Sequence, residues 1–375
     1  GEAARVLNRA GFAAAREEIS SWPGYRPTPL VPLPGLADAL GVGAIHYKDE
    51  DKRFGLKSFK ALGGAYAVLG AIQDLIEKSG HGRVSAMELS AGRHSQLAST
   101  LTVCCATDGN HGRSVAWGAE TFGCRAVIYL HGHVSARRER EIARFGARIV
   151  RVSGSYDDSV RQCAEDAERN GWTLVADTNA GGGDIAIPAR IMQGYTVMVA
   201  EMLEQMRGRV PSHVFVQGGV GGLAGAVAGH LWDRLGERRP RVVVVEPEKA
   251  DCIYRSIEAG RPTAVPGDVD TFMACLAAGE ISPMAWPFLE VAVDDVLTLP
   301  DEAAPAAMRL LAKGLAGDPS LVSGESGSAA TAGLVAAALD PAVKAALGLD
   351  AGSDVVAIGS EGATDADTYL RVVGA

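Results

Sequence analysis

Four short segments hold the residue types that could do chemistry. In Arg53-Phe54-Gly55-Leu56-Lys57-Ser58-Phe59-Lys60, a lysine closes an aromatic and glycine-containing stretch just before Ala61-Leu62-Gly63-Gly64. Desolvated, such an amine becomes a Schiff-base nucleophile; taken alone, a solvated surface lysine is the stronger reading. The second segment, Thr107-Asp108-Gly109-Asn110-His111-Gly112, follows the apolar run 101–106. Small polar residues between a strand and a helix offer backbone N–H groups to an anion such as a carboxylate. The same residues make a helix N-cap through Thr107 or Asp108, and His111 by itself reads as a structural histidine. The third is Gln217-Gly218-Gly219-Val220-Gly221-Gly222-Leu223. Its four glycines let the backbone wrap a phosphate at a helix N-terminus, with tight helix–sheet packing as the alternative. It lacks both the Gly-Lys-Ser/Thr of a nucleotide loop and the dinucleotide spacing. In the fourth, Ile358-Gly359-Ser360-Glu361-Gly362, Ser360 either hydrogen-bonds a heteroaromatic nitrogen or caps a turn.

These segments need a frame that brings turns together. The recurring unit is a short β-branched run, a Gly-rich turn and an Ala-rich amphipathic stretch. It recurs as 125–130 before 135–145, 147–152 before 156–170, 213–216 before 223–235, and 241–245 before 250–259, with a last apolar run at 354–358. Continuous apolar strands alternating with helices predict an α/β protein with parallel sheets covered on both faces. Such sheets place ligands at the carboxyl ends of their strands, where these turns lie. Residues 79–99, polar and rich in Gly, Ser and His, read as an exposed loop, and 260–270, with Pro262 and Pro266, as a connection. No repeat of fixed period is present, which argues against a solenoid.

At 375 residues the chain predicts two lobes and a core that needs no staples. Its net charge of −9 argues against a nucleic-acid or anionic-membrane partner, since either would want a basic face. Cys104, Cys105, Cys124, Cys163, Cys252 and Cys275 form no Cys-x-x-Cys pair and no zinc-site spacing, so no metal site is expected and buried, reduced thiols are. No apolar run approaches a membrane span and no signal peptide is visible, so a cytoplasmic location is expected.

Together the four segments supply an amine, a carboxylate-binding turn, a phosphate cradle and a ring-nitrogen partner, the parts needed to hold pyridoxal 5'-phosphate. At these residues the chain resembles the fold-type-II pyridoxal-phosphate enzymes (tryptophan-synthase-β-like), most closely the 2,3-diaminopropionate ammonia-lyase family. The resemblance runs through Pro23-Gly24-Tyr25-Arg26-Pro27-Thr28-Pro29-Leu30, Lys48-Asp49-Glu50, Arg53-Phe54-Gly55-Leu56, and Ala106 to Gly112. It continues through Ile191-Met192-Gln193-Gly194-Tyr195, Glu246-Pro247, Ala250-Asp251-Cys252 and Ser323-Gly324-Glu325-Ser326-Gly327. Serine and threonine dehydratases share the lysine and the glycine loops. The Thr-Asp-Gly-Asn-His-Gly form, with Asp where many relatives carry Ser or Gly, is similar to the ammonia-lyase branch.

The resemblance implies roles by position. Lys60, preceded by Phe59, is the Schiff-base lysine; Asn110 lies beside the pyridoxal 3′-oxygen; Gly218, Gly219, Val220, Gly221 and Gly222 hold the phosphate; Ser360 partners the pyridine nitrogen. Asp108 and Asp177 are the further active-site acids, and Thr107, Asp108, Gly109, His111, Asp177, Asn179 and Glu325 border the substrate. It also implies a homodimer, and two lobes formed by residues 1–95 with 205–375 (large, cofactor-binding) and 96–204 (small). The implied reaction is α,β-elimination of a β-substituted alanine, giving aminoacrylate, then pyruvate and ammonia. Alternatives are the same chemistry on a larger N-linked β-substituent, a serine/threonine dehydratase, and a non-catalytic cofactor-binding regulatory protein. One departure bears on the substrate. Where family members tend to run Asp-Thr-Ala-Trp-Glu-Gly-Tyr, this chain runs Asp177-Thr178-Asn179-Ala180-Gly181-Gly182-Gly183-Asp184. The missing aromatics predict either room for a larger substituent, hydrogen-bonded by Asp177 and Asn179, or loop drift with diaminopropionate kept as substrate.

Overall fold

The computed structural model describes residues 6–107, 109–132, 134–178 and 185–374. The strands in chain order are β1 (Leu30–Pro32), β2 (Ala44–Asp49), β3 (Thr102–Ala106), β4 (Arg125–His131), β5 (Arg148–Val152), β6 (Thr173–Leu174), β7 (His213–Gln217), β8 (Arg241–Pro247), β9 (Asp295–Leu299) and β10 (Asp354–Gly359). The runs read as strands are strands, and helices Ala136–Ala143, Tyr156–Asn170, Gly222–Leu235 and Cys252–Ala259 follow them as expected. Residues 260–270 connect elements without forming one.

The chain divides into two compact units, which split it differently from the expected lobes. One contains the described residues of 27–59 and 198–374, the other those of 6–26 and 60–197. Residues 6–26 and 60–95 thus belong with the four-strand unit, because helix Lys60–Lys78 packs on helix Asn110–Phe122. Small residues allow that packing: a Cβ at Gly118 would stand 2.8 Å from Ala65 Cα, and one at Gly64 would stand 2.5 Å from Ser114 Oγ. Ser114 Oγ accepts from Ala65 N (3.0 Å) and donates to Lys60 O (2.7 Å), stitching the two helix starts together.

Within the four-strand unit the described strands run β5-β4-β3-β6, all parallel. Residues 79–99 are largely exposed, as expected, but they are not only loop. Helices Ala86–Ser90 and Ser95–Ala98 interrupt them, the first started by a capping box between Ser85 and Glu88.

The six-strand unit orders its strands β1-β2-β10-β7-β8-β9, with only β1–β2 antiparallel. Every residue of β7 is buried, as are the valines of β8, which accounts for their continuous apolar runs. A buried ion network lies in this unit. The Arg53 guanidinium donates to both carboxylate oxygens of Glu50 (2.9 and 2.8 Å) and both of Glu201 (2.8 Å each). Lys48 Nζ donates to Glu201 Oε2 (3.0 Å) and Thr28 O (2.8 Å). All four charged residues are essentially unexposed, so each charge depends on its partners. This network and the pairing of Phe59 N with Ser360 O (3.1 Å) fix the segment that leads directly into Lys60.

No disulfide joins the six cysteines; Cys275 is exposed and Cys124 half-buried, against the expectation of buried thiols throughout. Among the described residues no single helix is long and apolar enough to cross a membrane.

Candidate active site

In the four-strand unit, Lys60 is the first residue of helix Lys60–Lys78, and its Nζ donates to Asp177 Oδ2 at 2.6 Å. Both side chains are about one-fifth exposed (20% and 22%), enough to meet a small molecule. Asp177 follows the carboxyl end of β6, and the turn at Thr107 follows the carboxyl end of its neighbour β3. Burial alone would raise the Asp177 carboxyl, but the Lys60 charge outweighs burial and holds it well below the usual carboxylate range.

The Thr107 turn caps the helix that follows it. Thr107 Oγ1 accepts from Gly109 N (3.0 Å) and Gly112 N (3.1 Å), capping the start of helix Asn110–Phe122. Asn110 is that helix's first residue, and its Oδ1 accepts from Arg113 Nη2 at 2.5 Å. His111 lies 2.7 Å from Val175 O through Nε2, so Nε2–H donates and the neutral ring leaves Nδ1 bare. That Nδ1 is buried without a partner, and burial lowers the His111 pKa, keeping the ring neutral. Asp108 and Asn179 fall outside the described residues.

The six-strand unit holds the glycine loop between β7 and helix Gly222–Leu235. Gly219 (φ +65°) and Gly221 (φ +90°) adopt left-handed conformations that disfavour any side chain. A Cβ at Gly218 would stand 2.6 Å from Glu246 Cγ, and one at Gly221 would stand 2.6 Å from Leu289 Cδ1. The loop thus presents backbone alone at a helix N-terminus, where the first N–H groups have no partner within the helix. Gln217 donates through Nε2 to Gly327 O (2.9 Å) and Ile358 O (2.7 Å), joining the loop's entry to the end of β10. Its Oε1 is left buried and unpartnered. Ser360, buried, follows β10 directly. Glu325 is buried in the Ser323–Gly327 turn, which packs on Glu361 through Ser326 N and Gly324 N.

Sequence reasoning gave no role to Glu246, Glu361 or Tyr195. Glu246 backs the glycine loop, accepting from Ile253 N (3.1 Å) and Tyr254 N (2.9 Å). Its signal was the Glu246-Pro247 pair at the end of an apolar strand. No local signal marks Glu361 or Tyr195.

Residues 21–361 match the family described as pyridoxal-phosphate dependent enzyme. The chain belongs to that family. Over its whole length it is 39% identical to diaminopropionate ammonia-lyase of Escherichia coli K12, 94% of which it spans. With the Salmonella typhimurium LT2 diaminopropionate ammonia-lyase it shares 37% identity over 94% of this chain and 89% of that one. Within the pyridoxal-phosphate dependent family it groups with these lyases. The fold agrees. The crystal structure of the E. coli lyase in complex with D-serine superposes with a TM-score of 0.90 at 38% identity, over 98% of this chain and 93% of that one. The same lyase with an aminoacrylate-PLP azomethine reaction intermediate gives 0.87 at equal identity and coverage. Maize serine racemase, at 21% identity and a TM-score of 0.75, shares the fold.

The residues present fit the family's cofactor. A loop whose side-chain space is closed by Glu246 and Leu289 leaves the backbone after Gly218, whose N–H donates to Val245 O (2.9 Å), for a phosphate, and Lys60 offers a partly exposed amine for an aldehyde.

Proposed function

We propose that this chain is a pyridoxal-phosphate-dependent ammonia-lyase that removes the β-amino group of 2,3-diaminopropionate, yielding pyruvate and ammonia. The observation that carries the reading is the pairing of Lys60 Nζ with Asp177 Oδ2 at 2.6 Å, in a chain that matches the diaminopropionate ammonia-lyases end to end. Lys60 Nζ would hold the cofactor. Gly218, Gly219, Val220, Gly221 and Gly222 would hold its phosphate, Ser360 would meet its ring nitrogen, and Asn110 would lie beside its 3′-oxygen. Bound there, pyridoxal phosphate supplies the electron sink for the pair left when the substrate Cα loses its proton.

The protein's own groups move the protons. Released from the cofactor, Lys60 Nζ takes the proton from Cα, and the Asp177 carboxylate holds the resulting ammonium in place. That ammonium is then the acid available to the departing β-amino group, which leaves as ammonia. Asp108 is the second base, serving the opposite face of Cα. Thr107, Gly109, His111, Asn179 and Glu325 border the substrate. Water completes the reaction outside the enzyme's chemistry: aminoacrylate plus water gives pyruvate and the second ammonia. A cytoplasmic homodimer is the expected form, and sizing of the purified protein tests its assembly.

The test is pyruvate release from a panel of β-amino-, β-hydroxy- and larger β-N-substituted alanines, both enantiomers of each. Diaminopropionate should give the highest kcat/KM. A larger β-N-substituted alanine that beats it would replace the substrate assignment, and turnover of serine or threonine alone would make the enzyme a dehydratase. No turnover at all would leave a non-catalytic binding protein. Borohydride reduction should fix the cofactor on a single peptide containing Lys60; a label elsewhere would overturn the site.

A further inference from the structure

Helix Ala186–Gln205 carries Tyr195, whose ring is buried at 2% exposure. Its position depends on two glycines. A Cβ at Gly63, one turn beyond Lys60, would stand 2.4 Å from Tyr195 Cε1 and 2.8 Å from its Cζ. A Cβ at Gly194 would stand 2.0 Å from Leu62 O. The two helices therefore meet without side chains between them, and the phenol reaches the first residue of the neighbouring helix. Lys60 Nζ lies 5.8 Å from the centre of the Tyr195 ring, and the two side chains interact electrostatically.

We propose that Tyr195 is a positioning residue for Lys60, its hydroxyl accepting from Nζ when the amine is protonated and donating to Nζ when it is not. This rests on the reading of Lys60 as the cofactor-bearing, proton-moving lysine. The argument is one of hydrogen-bonding capacity. Asp177, ionised, can only accept, so it suits the ammonium but offers nothing to the lone pair of a free amine. A phenol both donates and accepts. Burial raises the Tyr195 pKa to about 12, Asp177 adding to the rise and Lys60 opposing it, so the hydroxyl keeps its proton. A lysine that must give up its proton, take one from Cα and return it changes state within one turnover. Asp177 alone offers Nζ an acceptor in both states but no donor for the free amine's lone pair; Tyr195 supplies that donor. Among the described residues, Asp177 and His111 are titratable groups that also act at this position.

The test uses Tyr195→Phe as the cofactor-loaded enzyme. Phenylalanine keeps the ring that packs on Gly63 and Ile191 and removes only the hydroxyl. We expect kcat to fall about 10²-fold, as for a misplaced reacting group, with KM nearly unchanged. The pH midpoint of the absorbance change of the cofactor bonded to Lys60 should move by about one unit. An unmoved midpoint would overturn the proposal whatever kcat does, because packing alone cannot hold a titration in place. If the phenylalanine variant fails to fold, difluorotyrosine placed at 195 keeps ring and hydroxyl while making the phenol more acidic, and the midpoint must again move. Should borohydride labelling of the parent miss Lys60, the functional reading fails. A labelled parent with an indifferent Tyr195→Phe sinks the Tyr195 role alone.

Discussion

Lys60 Nζ and Asp177 Oδ2 lie 2.6 Å apart although 117 positions separate them, one at a helix start and the other beyond the carboxyl end of β6. Lys60 holds Asp177 ionised to well below the usual carboxylate range. The depressed value fixes the sign. Stability from the pair is fully present above the unfolded value of about 3.9 and is lost as pH falls through the lower folded value. Asp177→Asn keeps the shape and removes the charge, so kcat should drop about 10²- to 10⁴-fold. Above pH 4 the parent's acid-side activity loss should not follow Asp177 protonation. A variant and parent with the same activity below pH 5 would contradict this.

Asp108→Asn should separate the enantiomers. If Lys60 and Asp108 serve opposite faces of Cα, the variant loses about 10²- to 10⁴-fold on D-substrates and far less on L-substrates. Steady-state kinetics on both enantiomers of diaminopropionate decide it. Equal losses would reduce Asp108 to a turn residue.

Gly218→Ala puts a methyl group 2.6 Å from Glu246 Cγ, a buried side chain with no room to retreat. The glycine loop must shift, at a cost of about 1–3 kcal/mol. Cofactor should dissociate more readily by dialysis, while the cofactor-free protein keeps its secondary structure by circular dichroism. Unchanged retention would mean the loop does not hold the phosphate.

Glu201→Gln leaves Lys48 and Arg53 with Glu50 as their only full negative partner in the described network. Removing one member of a buried ion network costs about 3–5 kcal/mol. Urea unfolding should show that loss with an unchanged denaturant slope. A loss below about 1 kcal/mol would mean water reaches the network after all.

Burial raises the Glu246 pKa to about 8, against the opposing hydrogen bonds from Tyr254 N and Ile253 N. A raised folded value makes this group's contribution complete below the unfolded value of about 4.3. It is then lost progressively as pH rises to about 8, where the carboxyl ionises inside the fold. Glu246→Gln cannot ionise, so the Tm of the parent relative to the variant should decline across that window. A constant Tm difference from pH 5 to pH 8 would show that Glu246 is ionised throughout.

By itself the sequence determined the elements and the types of residue in the turns. Runs such as 213–217 and 241–245 are strands because β-branched residues buried on both faces leave no other packing. The four glycines of 218–222 marked a tight loop before a helix, and the structure gives Gly219 and Gly221 left-handed conformations. Even the short helix at Ala86–Ser90 carried its signal, in Ser85 and Glu88 three apart, within a stretch that composition marked only as polar. Tertiary structure alone decided which segments share a unit. Residues 60–95 join the four-strand unit because Gly64 and Gly118 let two helices touch, a contact between segments about fifty positions apart that no local pattern encodes. It likewise decided that Glu201 neutralises Arg53 and Lys48. The same is true of Tyr195, a tyrosine in an ordinary helix by sequence, which meets Lys60 only because Gly63 and Gly194 remove the side chains that would hold the two helices apart.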